Sequence, residues 1–459
     1  MRPMQAAAAP RLVPPRITPP AQPLEGLAFV ARFVRNPIAV VPQAAYDGDM
    51  VAGMRGRAPI AWITAPAMIK TVLLDEREKF LKLAQIRLLS PLLGKGILTS
   101  EGADWKWQRQ ASAPMFRPQE LAGFVPTFVR AAERVIGRWR ARPAAAQPVD
   151  RDMTEATFEV ISATLLPSAD ERMPQAVERS TGLFQRSGAW GQLYAVANLP
   201  HWLPQPGRRS MARAVAALRA AVAALIAERR AHPEAKDDLL HRLMHARDPE
   251  SGQSMNDGQL VDNLLTFYLA GHETTAKALT WTLYLLARSP EWTRALEEEI
   301  ACVTGGAEVN AGHIEQLVRT QQVLKESMRL YPPVPLMTRQ AVADARLGDH
   351  PIRAGTSVVM PIYTIHRHTK RWEDPDAFDP TRFAPEREAM IPRYQYMPFG
   401  AGPRICIGMG FAMMEATAML ATLLRHARFA PVAGREPAPV ARVTLIPGGG
   451  MPLAVRLRS

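Results

Sequence analysis

Cysteine is nearly absent from this sequence: Cys302 and Cys406 are the only two in 459 residues. Two thiols make neither a disulfide framework nor a four-thiolate metal cluster. A continuous apolar run of roughly 20 residues, which a membrane span requires, is also missing, and no apolar stretch follows the basic start as in a signal peptide. These absences predict a soluble, cytoplasmic chain without a transmembrane anchor. Interior linkers and fixed-period repeats are lacking too. The only biased segment is "MRPMQAAAAPRLVPPRITPPAQPLEG", where alanine, proline and arginine mix with no apolar periodicity, as in an extended arm. Length alone would suggest about three domains at roughly 150 residues each. With no linker to divide it, the chain is expected to form an arm over residues 1–24 and a single domain over residues 25–459.

Acidic residues are the scarcer sign, 43 against 56 basic, for a formal net charge of +13. Such an excess favours acidic partners, whether nucleic acid, an anionic membrane surface or an acidic protein, without choosing among them. Arg130, Arg134 and Arg138 recur on one predicted helix face, but Glu133 interrupts them and no aromatic residues interleave for base stacking. The pattern reads as a solvated face, and no nucleic-acid partner is expected.

Helical periodicity dominates the middle of the chain. An alanine-rich amphipathic helix is predicted from Arg209 to His232, with basic residues near its end as the helix dipole prefers. A longer one is predicted from about Asn256 through Ser289, with a cap at Asn256 or Asp257 and no proline inside. It is apolar nearly all round from Leu264 to Leu269, so it should run through the core and bury its polar interruption "GHETT". Strand signals are sparser and late: "TSVVMPIYTIH" from Thr356, and "RVTLIPGGGMPLAVRLRS", which reads as two short strands joined by a glycine turn. A further helix should start at Cys406 and run to about Arg425. The fold class is mostly α with a small β portion.

Cys406 sits in "FGAGPRICIG", crowded by Gly400, Gly402 and Gly408, with Arg404 two residues before it and Phe399 to pack beside it. A cysteine just before a helix meets free N–H groups and the positive end of the dipole, which lowers its pKa toward thiolate, the form a metal ligand needs. A small metal such as zinc would need further ligands nearby, whereas haem needs only one from the protein. Taken alone, "CIG" better suits an ordinary buried cysteine in a glycine turn.

The stretch resembles the haem-binding loop of the cytochrome P-450 family, Phe-x-x-Gly-x-Arg-x-Cys-x-Gly, through Phe399, Gly402, Arg404, Cys406 and Gly408. Three further motifs fall in the family's order. "AGHETT", Ala270 to Thr275, is similar to its oxygen-activation motif. "ESMR" supplies Glu326 and Arg329, and "PTRF" supplies Arg382. The resemblance implies the family's fold in a soluble bacterial-type member, with a long central helix over a buried haem b and Cys406 as its axial thiolate. It further implies that Glu326, Arg329 and Arg382 form a buried network holding the haem loop. On their own, Glu326 and Arg329 would be a surface i,i+3 pair. Trp105 and Arg109, four apart in "WKWQR", resemble the family's pair over the haem propionates, and Arg339 and Arg404 would complete the set. His366 and His368, in a loop after a strand, are read as structural or solvent-facing.

Glu273 and Thr274 resemble the family's proton-delivering acid and alcohol, with Ala270 four residues before the threonine. The alternative for Thr274 is a bond back to the Ala270 carbonyl. The resemblance places Phe267, Leu269, Ala270, Val334, Leu336 and Met337 near the distal face of the haem, with Ile446 and Met451 on the terminal turn. It also makes Ile86–Ile97 and "NLPHWLPQPG" variable lid segments. A nearly all-apolar pocket implies a hydrophobic small molecule such as a fatty acid, terpenoid, steroid or aromatic. The function implied is a haem-thiolate monooxygenase, inserting one atom of dioxygen by hydroxylation or epoxidation. With no flavin or nicotinamide fingerprint after the haem loop, electrons are expected from a ferredoxin or flavodoxin with its reductase. A peroxide-using or isomerising haem-thiolate enzyme, or a non-catalytic haem sensor, would share the fold. The enzymes of that kind typically alter the acid–alcohol pair and a sensor would have no need of it, whereas Glu273 and Thr274 are both present.

Overall fold

The computed structural model describes residues 11–55, 58–165, 191, 194, 207–232, 238–248 and 250–458. Its axis is the helix Asp257–Ala287, 31 residues long. Asn256 and Gln259 form a reciprocal capping box at its start, with Gln259 N donating to Asn256 Oδ1 at 3.0 Å and Asn256 N to Gln259 Oε1 at 3.1 Å. The helix is buried on nearly every side, as its apolar circumference predicts. Thr266, Thr280 and Thr282 are tolerated there because each hydroxyl donates to the carbonyl four residues back, at 2.7 Å.

Around this axis pack the helices Val149–Leu165, Arg208–Ala231, Val318–Leu330 and Met409–His426. Gly271 lets the first of these approach, since a Cβ there would lie 2.9 Å from Ile161 Cδ1. Thr157 Oγ1 donates to the His272 carbonyl at 2.8 Å across the same contact. Among the described residues one helix, Arg208–Ala231, has the length and mean hydropathy of a membrane span. It carries Arg213 and Arg219, and it buries Leu218, Val222 and Ile226 against the core.

The β portion lies to one side. Its main sheet runs in the order Met50–Arg55, Ala58–Ile63, Ser357–Met360, Met337–Ala341 and Phe80–Leu81. Only the contact of Ala58–Ile63 with Ser357–Met360 is parallel. The strand read from Thr356 stops at Met360, because Pro361 can donate no ladder hydrogen bond, and Ile362–Ile365 turns into helix instead. The C-terminal strands Leu445–Gly448 and Pro452–Leu457 do flank a glycine turn, yet they do not pair with each other. The first joins Ala438–Ala441 and the second joins Ala427–Pro431 and Gln147–Pro148.

Residues 11–24 have neither helix nor strand and lie against the body. Ile17 N donates to Tyr363 Oη at 3.1 Å, Tyr331 Oη to the Pro15 carbonyl at 2.7 Å, and Phe378 N to the Leu12 carbonyl at 2.8 Å. Arg134 and Arg138 pair with Glu159 on the neighbouring helix, which gives their face a structural use.

Candidate active site

A cavity of about 490 Å³ opens between the central helix, the cysteine loop and the main sheet. Its floor is the loop Phe399–Gly408. Gly400 and Gly402 both have positive φ, 73° and 70°, which a side chain would strain. A Cβ at Gly402 would also lie 2.7 Å from the Leu73 carbonyl oxygen. Gly408 has an ordinary φ of −88° and serves as the cap of Met409–His426. The loop closes on itself where Cys406 N donates to the Phe399 carbonyl at 2.9 Å, which presents the thiol to the cavity. Burial pushes the Cys406 thiol up, against the opposing pull of the Gly408 N–H and the Arg109 charge. Cys302 is exposed on the helix Pro290–Thr304 and does not line the cavity.

Cations gather at one rim. Arg109 Nη1 donates to the Ile405 carbonyl at 2.9 Å, and Arg404 Nη1 to the Ser100 carbonyl at 2.9 Å. Arg404 also pairs with Glu101, and its guanidinium lies 3.9 Å from the centre of the Trp105 ring. Arg339 is buried beside them; burial pulls both Arg339 and Arg404 down to about 10. Lys82 joins this rim, its Nζ donating to the Leu98 carbonyl at 2.7 Å, and burial lowers it to about 7. Sequence reasoning missed Lys82, since a lone lysine between apolar residues carries no motif.

Across the cavity, Ala270, Glu273 and Thr274 line the central helix. Thr274 Oγ1 donates to the Ala270 carbonyl at 2.8 Å. Glu273 is buried and accepts from Thr444 Oγ1 at 2.6 Å. Thr444, 171 positions away in sequence, had no signal that could have found it. Phe267, Leu269, Val334, Leu336 and Met337 line the apolar wall, with Phe267 edge-on to Phe116 at 5.5 Å. Ile446 and Met451 do not line it. Ile446 pairs with Val440 in a two-stranded ribbon, Met451 N donates to Asp150 Oδ1 at 2.9 Å, and the preceding turn Arg442–Thr444 faces the cavity instead. Of the expected lid segments, Ile86–Ile97 lies on and after the helix Leu83–Leu93 and contributes to the wall, while "NLPHWLPQPG" falls, but for its final glycine, outside the described residues.

Behind the floor, Glu326 and Arg329 are fully buried and meet through two bonds, Nε–Oε2 at 2.6 Å and Nη2–Oε1 at 2.7 Å. Arg382 Nε lies 3.5 Å from Glu326 Oε1. Arg329 also donates to the carbonyls of His366, Pro375 and Ala377 at 2.7–2.9 Å. His366 and His368 are buried, not solvent-facing, because the chain after Pro361 turns inward as helix.

Among the described residues no group of three or more His, Cys, Asp or Glu side chains is placed to hold a metal ion. A metal at Cys406 must therefore bring its other ligands with it. A flat metal chelate carrying carboxylates fits this donor set: one thiol on the floor, three guanidiniums at the rim, apolar walls between.

The family model described as Cytochrome P450 matches residues 19–451. The chain is 31% identical over 437 residues to cyclooctatin synthase of Streptomyces melanosporofaciens, covering 94% of each protein. It is 30% identical over 400 residues to cyclooctat-9-en-7-ol 5-monooxygenase of the same organism, covering 87% of this chain and 86% of that one. The crystal structure of the cytochrome P450DA heme domain superposes with a TM-score of 0.85 at 25% identity, covering 97% of this chain and 98% of that one.

Proposed function

We propose, since the chain belongs to the cytochrome P450 family and is a monooxygenase, that it binds haem b through Cys406 and inserts one atom of dioxygen into a hydrophobic small molecule. The observation that carries this reading is the convergence on one cavity of Cys406, the three rim arginines and the pair Glu273–Thr274. Haem, when bound, supplies the binding and reductive activation of dioxygen, and thiolate ligation favours O–O cleavage.

The chain's own residues do the rest. Arg109, Arg339 and Arg404 would hold the propionate carboxylates by charge-assisted hydrogen bonds, with Trp105 fixing the plane of Arg404. The buried pair Glu326–Arg329, with Arg382, fixes the floor loop from behind. Glu273, oriented by Thr444, is the carboxyl through which a proton reaches the cavity, and Thr274 passes it on when its hydroxyl turns from the Ala270 carbonyl. The apolar wall excludes water and selects substrate by shape. One relative's name gives cyclooctat-9-en-7-ol as its substrate, and the wall here suits molecules of that apolar class, reacting by hydroxylation or epoxidation.

A P450 monooxygenase requires a substrate, dioxygen and a source of electrons. The source proposed here is a ferredoxin or flavodoxin with its reductase, in the cytoplasm; the net charge of +13 favours an acidic donor. Screening a hydrophobic library for shifts of the ferric haem spectrum, then turning over the hits with a surrogate ferredoxin system under isotopically labelled dioxygen, tests the reading. One labelled oxygen atom in the product is expected, and product formed without label would contradict it.

A further inference from the structure

The segment Gly94–Ile97 leaves the helix Leu83–Leu93 and is seated directly on the central helix. Gly94 has φ of +59°, and a Cβ there would lie 2.1 Å from Asp262 Oδ1. A Cβ at Gly96 would lie 2.5 Å from Thr266 Oγ1 and 2.7 Å from the Asp262 carbonyl oxygen. Two glycines in three residues thus allow a contact that no other residue type permits. Asp262 uses that closeness. Its Oδ2 accepts from Lys95 N at 2.7 Å, and its Oδ1 accepts from Arg219 Nη2 at 2.6 Å. Arg219 belongs to Arg208–Ala231, so one carboxylate joins three separate elements.

The bonds differ in strength by position. Next to Asp262, Asn263 Oδ1 accepts from Ile97 N at 2.9 Å and Asn263 Nδ2 donates to Gln108 Oε1 at 2.8 Å, both buried. These make a permanent seat. The Arg219–Asp262 pair is nearer solvent, with side chains 35% and 11% exposed, and pairs of that kind break readily. Further along the helix, Arg229 is pinned to Asp238 by two buried bonds of 2.9 and 2.7 Å. Arg208–Ala231 is therefore anchored near its C-terminal end and clasped at its middle. The parts it is clasped to bear on the cavity, since Leu93, Ile97, Leu98 and Thr266 all line it.

We infer that Asp262 is a clasp that sets substrate specificity by size. While it ties the Gly94–Ile97 wall to Arg208–Ala231, this side of the cavity opens only narrowly, and the cross-section of apolar molecule that gets in is limited. Asp262 touches no substrate; it is a positioning residue, acting through Lys95 and Arg219. The optical test rests on the haem reading above, so a second measurement is independent of it.

The optical test uses the haem-loaded protein and two azoles of different width, imidazole and bifonazole, with on-rates followed by the shift of the ferric haem band. Arg219→Ala and Asp262→Ala should speed bifonazole binding by about three- to tenfold and leave the imidazole rate and haem content unchanged. An unchanged bifonazole rate, or both rates rising together, overturns the clasp. If Asp262→Ala fails to fold, Arg219→Ala decides alone, its side chain being a third exposed. Hydrogen exchange at the Lys95 amide should be faster than in the parent in Arg219→Ala, where its acceptor Asp262 is kept, and equal exchange overturns the inference. If imidazole shifts no haem band in the parent, it is the haem reading that fails, and the amide measurement still decides the clasp.

Discussion

His366 Nε2 accepts the amide N–H of Met397 at 2.9 Å, and this bond ties the buried ion pair to the loop that carries Cys406. The other ring nitrogen faces the Arg329 carbonyl at 3.2 Å, so the proton sits on Nδ1 and the ring is neutral. Arg329 in turn donates to the His366 carbonyl at 2.8 Å. Guanidinium, ring and loop amide fix one another.

That arrangement predicts an acid weakness. Burial first, and then the Arg329 charge, push the His366 ring from 6.5 down to about 3. Between those values the unfolded chain binds a proton that the folded chain refuses, so stability present above pH 6.5 is lost as pH falls toward about 3. The urea midpoint should fall between about pH 6.5 and 4, and less steeply in His366→Gln, which lacks the titrating ring. Equal slopes in parent and variant would contradict the assignment.

Glu326→Ala and Arg329→Ala each strand a buried charge, at a cost of roughly 3–5 kcal/mol. Both variants should purify with little or no haem. Normal haem content in either one would show that the pair does not hold the loop.

These elements differ in how far the sequence exposed them. The central helix was legible because its cap and apolar circumference are local, and the cysteine loop because five fixed residues lie within ten positions. Glu326 and Arg329 alone read as an ordinary surface pair; only their resemblance to a known motif said otherwise. Thr444 on Glu273, Lys82 at the rim and Asp262 under Gly94 depend on contacts between distant segments, which no periodicity records. The C-terminal strands and the glycine turn between them are legible, but their partners are not, because Ala438–Ala441 and Ala427–Pro431 reach their edges from other segments.

The rim cations should govern haem retention. Arg109→Ala and Arg404→Ala each remove a charge-assisted bond worth about 1.5–3 kcal/mol, so haem should pass to excess apomyoglobin about tenfold faster or more. Arg404→Lys should not restore the parent rate, because lysine lacks the planar group that covers Trp105. Unchanged transfer rates would place the propionates elsewhere.

Thr274 decides between relay and helix detail. A positioned proton relay contributes about 10²- to 10⁴-fold, so Thr274→Ala should keep its haem and its substrate-induced spectral shift while reducing equivalents emerge as hydrogen peroxide instead of product. Should the hydroxyl serve only its 2.8 Å bond to the Ala270 carbonyl, product per electron would match the parent.

The central claim is that the thiol on the cavity floor is the metal's ligand. The reduced carbon monoxide complex of the parent protein should show the strongly red-shifted Soret band of haem-thiolate proteins, and Cys406→Ser should lose that band, whether or not it retains haem. A red-shifted band that survives in Cys406→Ser would contradict the account and assign the ligand elsewhere.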